Sequence, residues 1–168
     1  MGEKLYSQSE VNRIFSHISP KTLIFWVLSG LVEWSREHED RRGIHREYSL
    51  KNLWQLGLAE ELMNLNIPVK FVERMMARVN NKFLNKIPET WDKYTLILNK
   101  VTPGELEELD DSEKISYFHT VQLVKTEEID NMWRPGMIGF FGNSLLVIMV
   151  NLRNVVDKVN YLIKQEGM

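Results

Sequence analysis

SPKTLIFWVLSGLV, Ser19 to Val32, decides how the first half of this 168-residue chain folds. Ser19 reads as a helix N-cap, and Pro20 takes the first helical position, where its missing N–H costs nothing. Gly30 suits the left-handed position past a helix end. Leu23, Ile24, Phe25, Trp26, Val27 and Leu28 form the body between these signals. Typical burial preferences put Trp26 in the core and leave Phe25 more exposed. A helix that reads DNA usually carries more charge than this one.

The elements on either side extend the pattern. Upstream, Ser7 and Glu10 form a capping box, followed by Val11, Ile14, Phe15 and Ile18 at helical spacing. Two short helices with a tight connection read as a helix-turn-helix or as an ordinary helical hairpin. Downstream, Leu31 to Trp34 reads as extended, Ser35 to Gly43 as a charged loop, and Ile44 to Tyr48 as a returning strand. Together they predict a two-stranded wing with Arg41 and Arg42 at its tip. Ser49 caps a third helix carrying Leu50, Leu53, Trp54, Leu56, Leu58, Leu62 and Leu65. A break at Asn64–Pro68 precedes a fourth helix with Val72, Met75, Met76, Val79 and Phe83 on one side.

Composition bounds the rest. Hydrophobic content of 43% and charged content of 26% suit a globular chain that buries its own core. With no cysteine, disulfides, thiolate metal sites and cysteine nucleophiles are excluded. The N-terminus lacks a signal-peptide pattern. The most apolar run, Met137 to Val150, is shorter than the ~20 residues a membrane span needs. A cytoplasmic, non-membrane protein is therefore expected. The net charge of −2 argues against general nucleic-acid binding, but it is unevenly spread. Residues 1–85 hold 12 Lys/Arg and 10 Asp/Glu, whereas residues 86–168 hold 9 and 13.

The order helix, turn, helix, wing, helix, helix resembles the DNA-binding domain of the MerR family of transcriptional regulators over residues 5–79. The motifs that carry it are YSQSEV (Tyr6–Val11), SPKTLIFWVLSGLV (Ser19–Val32), HREYS (His45–Ser49) and LNIPVKFVERM (Leu65–Met75). The family pattern matches at Ser19, Thr22, Leu23, Phe25, Trp26, Gly30 and Leu31, then at Arg46, Tyr48 and Ser49. It departs at Ile24, where relatives carry a basic residue, and at His45, where they carry an aromatic. Gly43 also sits one residue further from the wing motif than usual. The resemblance implies DNA contacts from Lys21, Thr22 and Phe25, and from Arg36, Arg41, Arg42, Arg46 and Tyr48. Recognition-helix N-termini meet bases, while basic wings meet phosphates.

The second half changes character after Pro88. Tyr94–Val101 and Ile115–Val124 read as strands flanking an acidic segment, Glu105–Glu113; Met137–Phe141 suggests a third strand. Tyr117 and His119 share one strand face, either as core residues or as part of a small-ligand pocket. The chain ends on a heptad seam over about residues 144–165: Leu145, Ile148, Leu152, Val155, Val159 and Leu162. MerR-like regulators dimerise through a long helix, so the resemblance implies a homodimer through this seam; packing within one subunit gives the same pattern.

The sequence thus predicts a mainly α protein with small β elements. It has a winged helix-turn-helix over residues 1–85 and an α+β effector and dimerisation region over residues 86–168. His38-Glu39-Asp40 lacks the spacing of a metal site, and no phosphate loop, nucleophile elbow or zinc motif occurs. No enzymatic activity, metal or cofactor is expected. The functional expectation is a nucleoid-associated transcriptional regulator binding double-stranded DNA at a pseudo-palindromic site. Its further partners are RNA polymerase or a small-molecule effector. The alternative is a protein-interaction module on a winged helix that no longer binds DNA.

Overall fold

A computed structural model describes residues 4–40, 43–65, 67, 69–79, 91–100, 118–129 and 147–168. They form a mixed α/β structure with mostly helical elements and small antiparallel sheets. The chain divides into two compact units. The first comprises residues 1–77 and 154–168, and the second residues 78–153. The first division falls between residues 77 and 78, whereas the sequence reading set a boundary at residue 85. However, the C-terminal helix belongs with the first unit, not with the second half.

The first unit starts with β1 (Leu5–Ser7), α1 (Gln8–Ile14) and α2 (Pro20–Leu28). Ser7 caps α1 through a closed capping box: Ser7 N–H donates to Glu10 Oε2 at 2.7 Å, and Glu10 N–H returns to Ser7 Oγ at 3.3 Å. The Ser7 backbone N–H is the main reason the Glu10 carboxyl titrates below its ordinary range. At α2, Thr22 N–H donates to Ser19 Oγ at 3.1 Å, with Pro20 in the first turn. Gly30 closes α2 at φ +78°, a conformation that strains L side chains. Its N–H reaches Val27 O, and the Leu31 N–H reaches Trp26 O, so the last turn keeps its carbonyls bonded.

The chain then forms a hairpin of β2 (Arg36–Asp40) and β3 (Gly43–Ser49). The three strands order β1-β3-β2, all antiparallel. The first hairpin strand thus lies where the sequence suggested a charged loop. Leu31 and Val32 are not extended strand residues; both are fully buried just past α2. Pairing begins later, where Ser35 N–H donates to Glu47 O at 2.9 Å and Arg36 lies opposite Glu47. Burial of two apolar side chains outweighs local strand propensity here.

Next come α3 (Leu50–Asn64) and α4 (Val69–Val79). Asn52 anchors the start of α3. Its Oδ1 accepts from Ser35 Oγ (2.7 Å) and Ser49 N–H (2.9 Å), and its Nδ2 donates to Gln55 Oε1 (3.1 Å). These buried polar groups are mutually satisfied, which fixes the hairpin base to the helix. Leu53, Leu56, Leu58 and Leu62 are fully buried, as are Val72, Met76 and Val79 of α4. Phe83 lies outside the described residues.

The second unit contains β4 (Tyr94–Lys100), β5 (Phe118–Lys125) and β6 (Val147–Asn151), ordered β5-β4-β6 and all antiparallel. Single 3₁₀ turns, Trp91–Lys93 and Thr126–Glu128, precede β4 and follow β5. The sheet's third described strand is β6, which the heptad reading had assigned to helix. Its run of Val147, Ile148, Met149 and Val150 is apolar and largely β-branched, which favours a pleated strand over a helix. Residues 105–113 and 137–141 lie outside the described residues.

Helix α5 (Leu152–Gln165) therefore begins about two turns later than expected. Asn151 Oδ1 accepts the Arg153 N–H at 2.9 Å and supplies the cap. Gly167, at φ +69°, follows its last turn.

Candidate nucleic-acid interface

The two faces of α2 differ. Leu23, Trp26 and Val27 are buried. Successive residues advance by 100° around a helix, so Lys21, Ile24, Phe25 and Leu28 fall on one opposite stripe. All four are exposed, Ile24 by 39%, Phe25 by 51% and Leu28 by 63%. The stripe thus carries one cation at its N-terminal end and three apolar side chains beyond it. Thr22 is half-buried at the edge, its Oγ1 2.7 Å from Ser19 Oγ. Reasoning from the sequence placed Lys21, Thr22 and Phe25 at this face but passed over Leu28. The i, i+3, i+4, i+7 spacing of 21, 24, 25 and 28 was the available signal.

The hairpin is less free to meet a ligand than its sequence suggests. Arg46 lies opposite Glu37 across the strands, with Nε 2.9 Å from Glu37 Oε2. Its guanidinium also sits 5.1 Å from the centre of the Trp34 ring, a cation–π contact. Arg46 is thus held in place by an acid and an aromatic. Arg36 takes its backbone place in β2, but its side chain is outside the description, and Arg41 and Arg42 lie outside the described residues.

Tyr48 requires a correction. Its side chain is fully buried, and its hydroxyl donates to Gln8 Oε1 at 2.5 Å. Gln8 Nε2 in turn donates to Asn12 Oδ1 at 3.0 Å. Tyr48 thus ties β3 to α1 and has no surface for a phosphate. Its burial pushes the phenol pKa up to about 12.

The seam of α5 is spent inside its own chain. Leu152, Val155 and Val159 are buried, and Leu162 is half-buried. Val155 and Val159 lie over Gly57 of α3, so closely that a Cβ on Gly57 would sit 2.6 Å from Val159 Cγ2 and 3.1 Å from Val155 Cγ1. Ile148 belongs to β6, and Leu145 lies outside the described residues. The face expected to pair between subunits is therefore covered within one. A polar cluster flanks this contact. Glu60 Oε1 lies 2.9 Å from His17 Nε2 and 3.1 Å from Lys158 Nζ, while Glu61 Oε1 lies 2.7 Å from Lys158 Nζ. Burial alone would lower the Lys158 pKa. Its bonds to Glu61 and Glu60 outweigh that, and the net shift is upward.

The second unit holds a cleft of about 720 Å³ where β4 starts and β5 and β6 end. Lys93, Lys125, Arg153, Asp92 and Glu127 line it with both signs of charge, beside Tyr94, Thr126 and Asn151. Tyr117 lies outside the described residues. His119 is placed in β5 by its backbone, and its side chain is not described. Among the described residues no group of three or more His, Asp or Glu could hold a metal ion. Nor, among them, is any helix long and apolar enough to cross a membrane. No protein-family model matches the chain, and neither does any curated protein.

Proposed function

We propose that this chain is a sequence-specific DNA-binding transcriptional regulator of MerR type, with residues 5–79 acting as a winged helix-turn-helix. The observation that carries the reading is the run of elements α1, α2, β2–β3 hairpin and α3, with one face of α2 left open. In this reading α2 enters the major groove. Lys21 meets a phosphate or base near the start of α2, and Thr22 lies beside it. The hairpin rests on the backbone through Arg46, and Arg41 and Arg42 are the further cations that the resemblance assigns to phosphates. MerR-like regulators bend and twist their sites, so deformation of the duplex belongs to the proposal. A homodimer on a pseudo-palindromic site then pairs through a surface other than the buried face of α5. The mixed-charge cleft of residues 78–153 suits a small polar effector, and RNA polymerase is the further partner.

The test is duplex binding as salt is raised. Phosphate contacts release counterions, so log affinity falls by ~0.9 per contact for each tenfold rise in salt. Arg46→Ala should weaken binding to all duplexes alike, while a change at Thr22 should alter preference among them. Duplex affinity that is absent, or indifferent to salt, sinks the reading. The runner-up is a protein-interaction module. It is favoured by the exposed Ile24, Phe25 and Leu28, and it predicts no duplex binding at all.

A further inference from the structure

We propose that α2 reads thymine methyl groups through Ile24, Phe25 and Leu28, so that the DNA site this chain selects is thymine-rich where α2 lies. The inference rests on the DNA-binding reading above and adds what kind of base edge is recognised. Most specific major-groove contacts are hydrogen bonds: Arg or Lys to guanine, Asn or Gln to adenine. C-terminal to Lys21 and Thr22, the exposed stripe of α2 offers no such group. Ile24, Phe25 and Leu28 are apolar, and the only apolar group a base pair presents in that groove is the thymine C5-methyl.

Geometry and charge favour DNA as the occupant. The stripe from Lys21 to Leu28 rises about 10 Å along the helix, which spans about three base-pair steps. Lys21 is the one charged side chain on α2, a cation at the helix end whose dipole also favours anions. No carboxylate on α2 opposes a phosphate backbone. Three partly exposed apolar side chains offer roughly 300 Å², short of the ~800 Å² per partner of a specific protein interface and of the ~600–1,000 Å² of a single DNA-binding module alike, so the choice of DNA rests on charge. In a DNA complex the hairpin and helix ends carry the remaining contacts, so a small apolar patch is sufficient for discrimination.

The experiment uses the full chain and a pool of randomised duplex DNA. Bound duplexes are enriched and sequenced, and the selected duplex is then made with thymine or with uracil at each position. Uracil removes the C5-methyl and leaves every hydrogen-bonding group in place. Affinities are read by fluorescence anisotropy at fixed salt. Each contacted methyl removed should lower affinity about fourfold, so two or three replacements give a loss of roughly 15- to 60-fold. Leu28→Ala, a change at an exposed position, should shrink that penalty at one thymine and leave the folded state intact by circular dichroism. Salt-sensitive binding to a selected duplex with equal affinity for thymine and uracil overturns the methyl readout and leaves the DNA-binding reading standing. Failure to enrich any duplex, with no salt-sensitive binding, overturns both.

Discussion

Gly57 gives the most direct test of how α5 sits in the first unit. In an isolated helix, Gly→Ala stabilises by about 1 kcal/mol because it restricts the unfolded backbone. At position 57 the new methyl would approach Val159 Cγ2 to 2.6 Å and Val155 Cγ1 to 3.1 Å. Valine in a helix holds one χ1 rotamer strongly, so neither methyl turns away cheaply. Overpacking of a tight core contact costs about 1–3 kcal/mol. The net effect of Gly57→Ala should therefore be a destabilisation of about 0–2 kcal/mol. Val159→Ala removes the closest obstruction. In that background Gly57→Ala should recover most of its intrinsic gain and become stabilising. The quantity that decides the matter is the coupling between the two changes, about 1–3 kcal/mol, measured by urea unfolding of the four proteins by circular dichroism. A Gly57→Ala effect of the same size and sign in both backgrounds would mean that α5 does not pack on Gly57, and the placement of residues 154–168 in the first unit would fall with it.

Other outcomes follow from the same geometry. Deleting residues 152–168 should unfold the first unit, because it uncovers α3 at Gly57 and removes Lys158 from the buried Glu60; a well-folded product by circular dichroism would refute that packing, and a dimeric full chain that becomes a folded monomer on deletion would mark α5 as the pairing helix. Tyr48 holds its proton to about pH 12 when folded and to about pH 10 when unfolded, so its contribution is intact below pH 10 and is lost as pH rises toward 12. That loss amounts to about 2–3 kcal/mol. It should be missing in Tyr48→Phe. Lys158, also raised, adds an alkaline loss that both proteins share, and equal alkaline slopes in the two would refute the Tyr48 assignment. Glu37→Gln should free Arg46 and tighten duplex binding, steepening the salt dependence by up to about 0.9; unchanged affinity would show that Arg46 does not reach the duplex.

Local signals in the sequence were sufficient for α1, α2 and α3 and for the end of α5, but not for its start. Capping serines 7, 19 and 49 and terminal glycines 30 and 167 act within one turn, so their geometry depends on nearby residues alone. The seam of α5 was legible as apolar but not in its partner, because an alternating three-four spacing is satisfied by any helix that covers it. Gly57 carries the missing information. A glycine inside a fifteen-residue helix costs stability unless another backbone or side chain comes close there. The run from Val147 to Val150 was misread for a related reason: spacing alone fits a helix, while pairing with β4 and β-branched composition favour a strand. At the candidate interface, Tyr48 matched a motif, but its burial depends on Gln8, forty residues away.

If the chain reads DNA as proposed, the shortage of cations on α2 and the restraint on Arg46 bear on specificity more than on affinity. Phosphate contacts attract every duplex equally, so each cation added to an interface raises non-specific binding along with specific binding. On the DNA-binding proposal, a chain with net charge −2, one cation on α2 and an Arg46 shared with Glu37 should have a low affinity for arbitrary DNA. Discrimination is the difference between the right site and all the others. An apolar stripe contributes only where a methyl meets it, and it costs desolvation of base edges where none does. On the same proposal, Ile24, at a position where MerR-like proteins carry a basic residue, would trade general grip for selectivity. That trade would be sustainable only if the remaining contacts came from a second copy of the chain or from Arg41 and Arg42, and there added phosphate contacts should be sought.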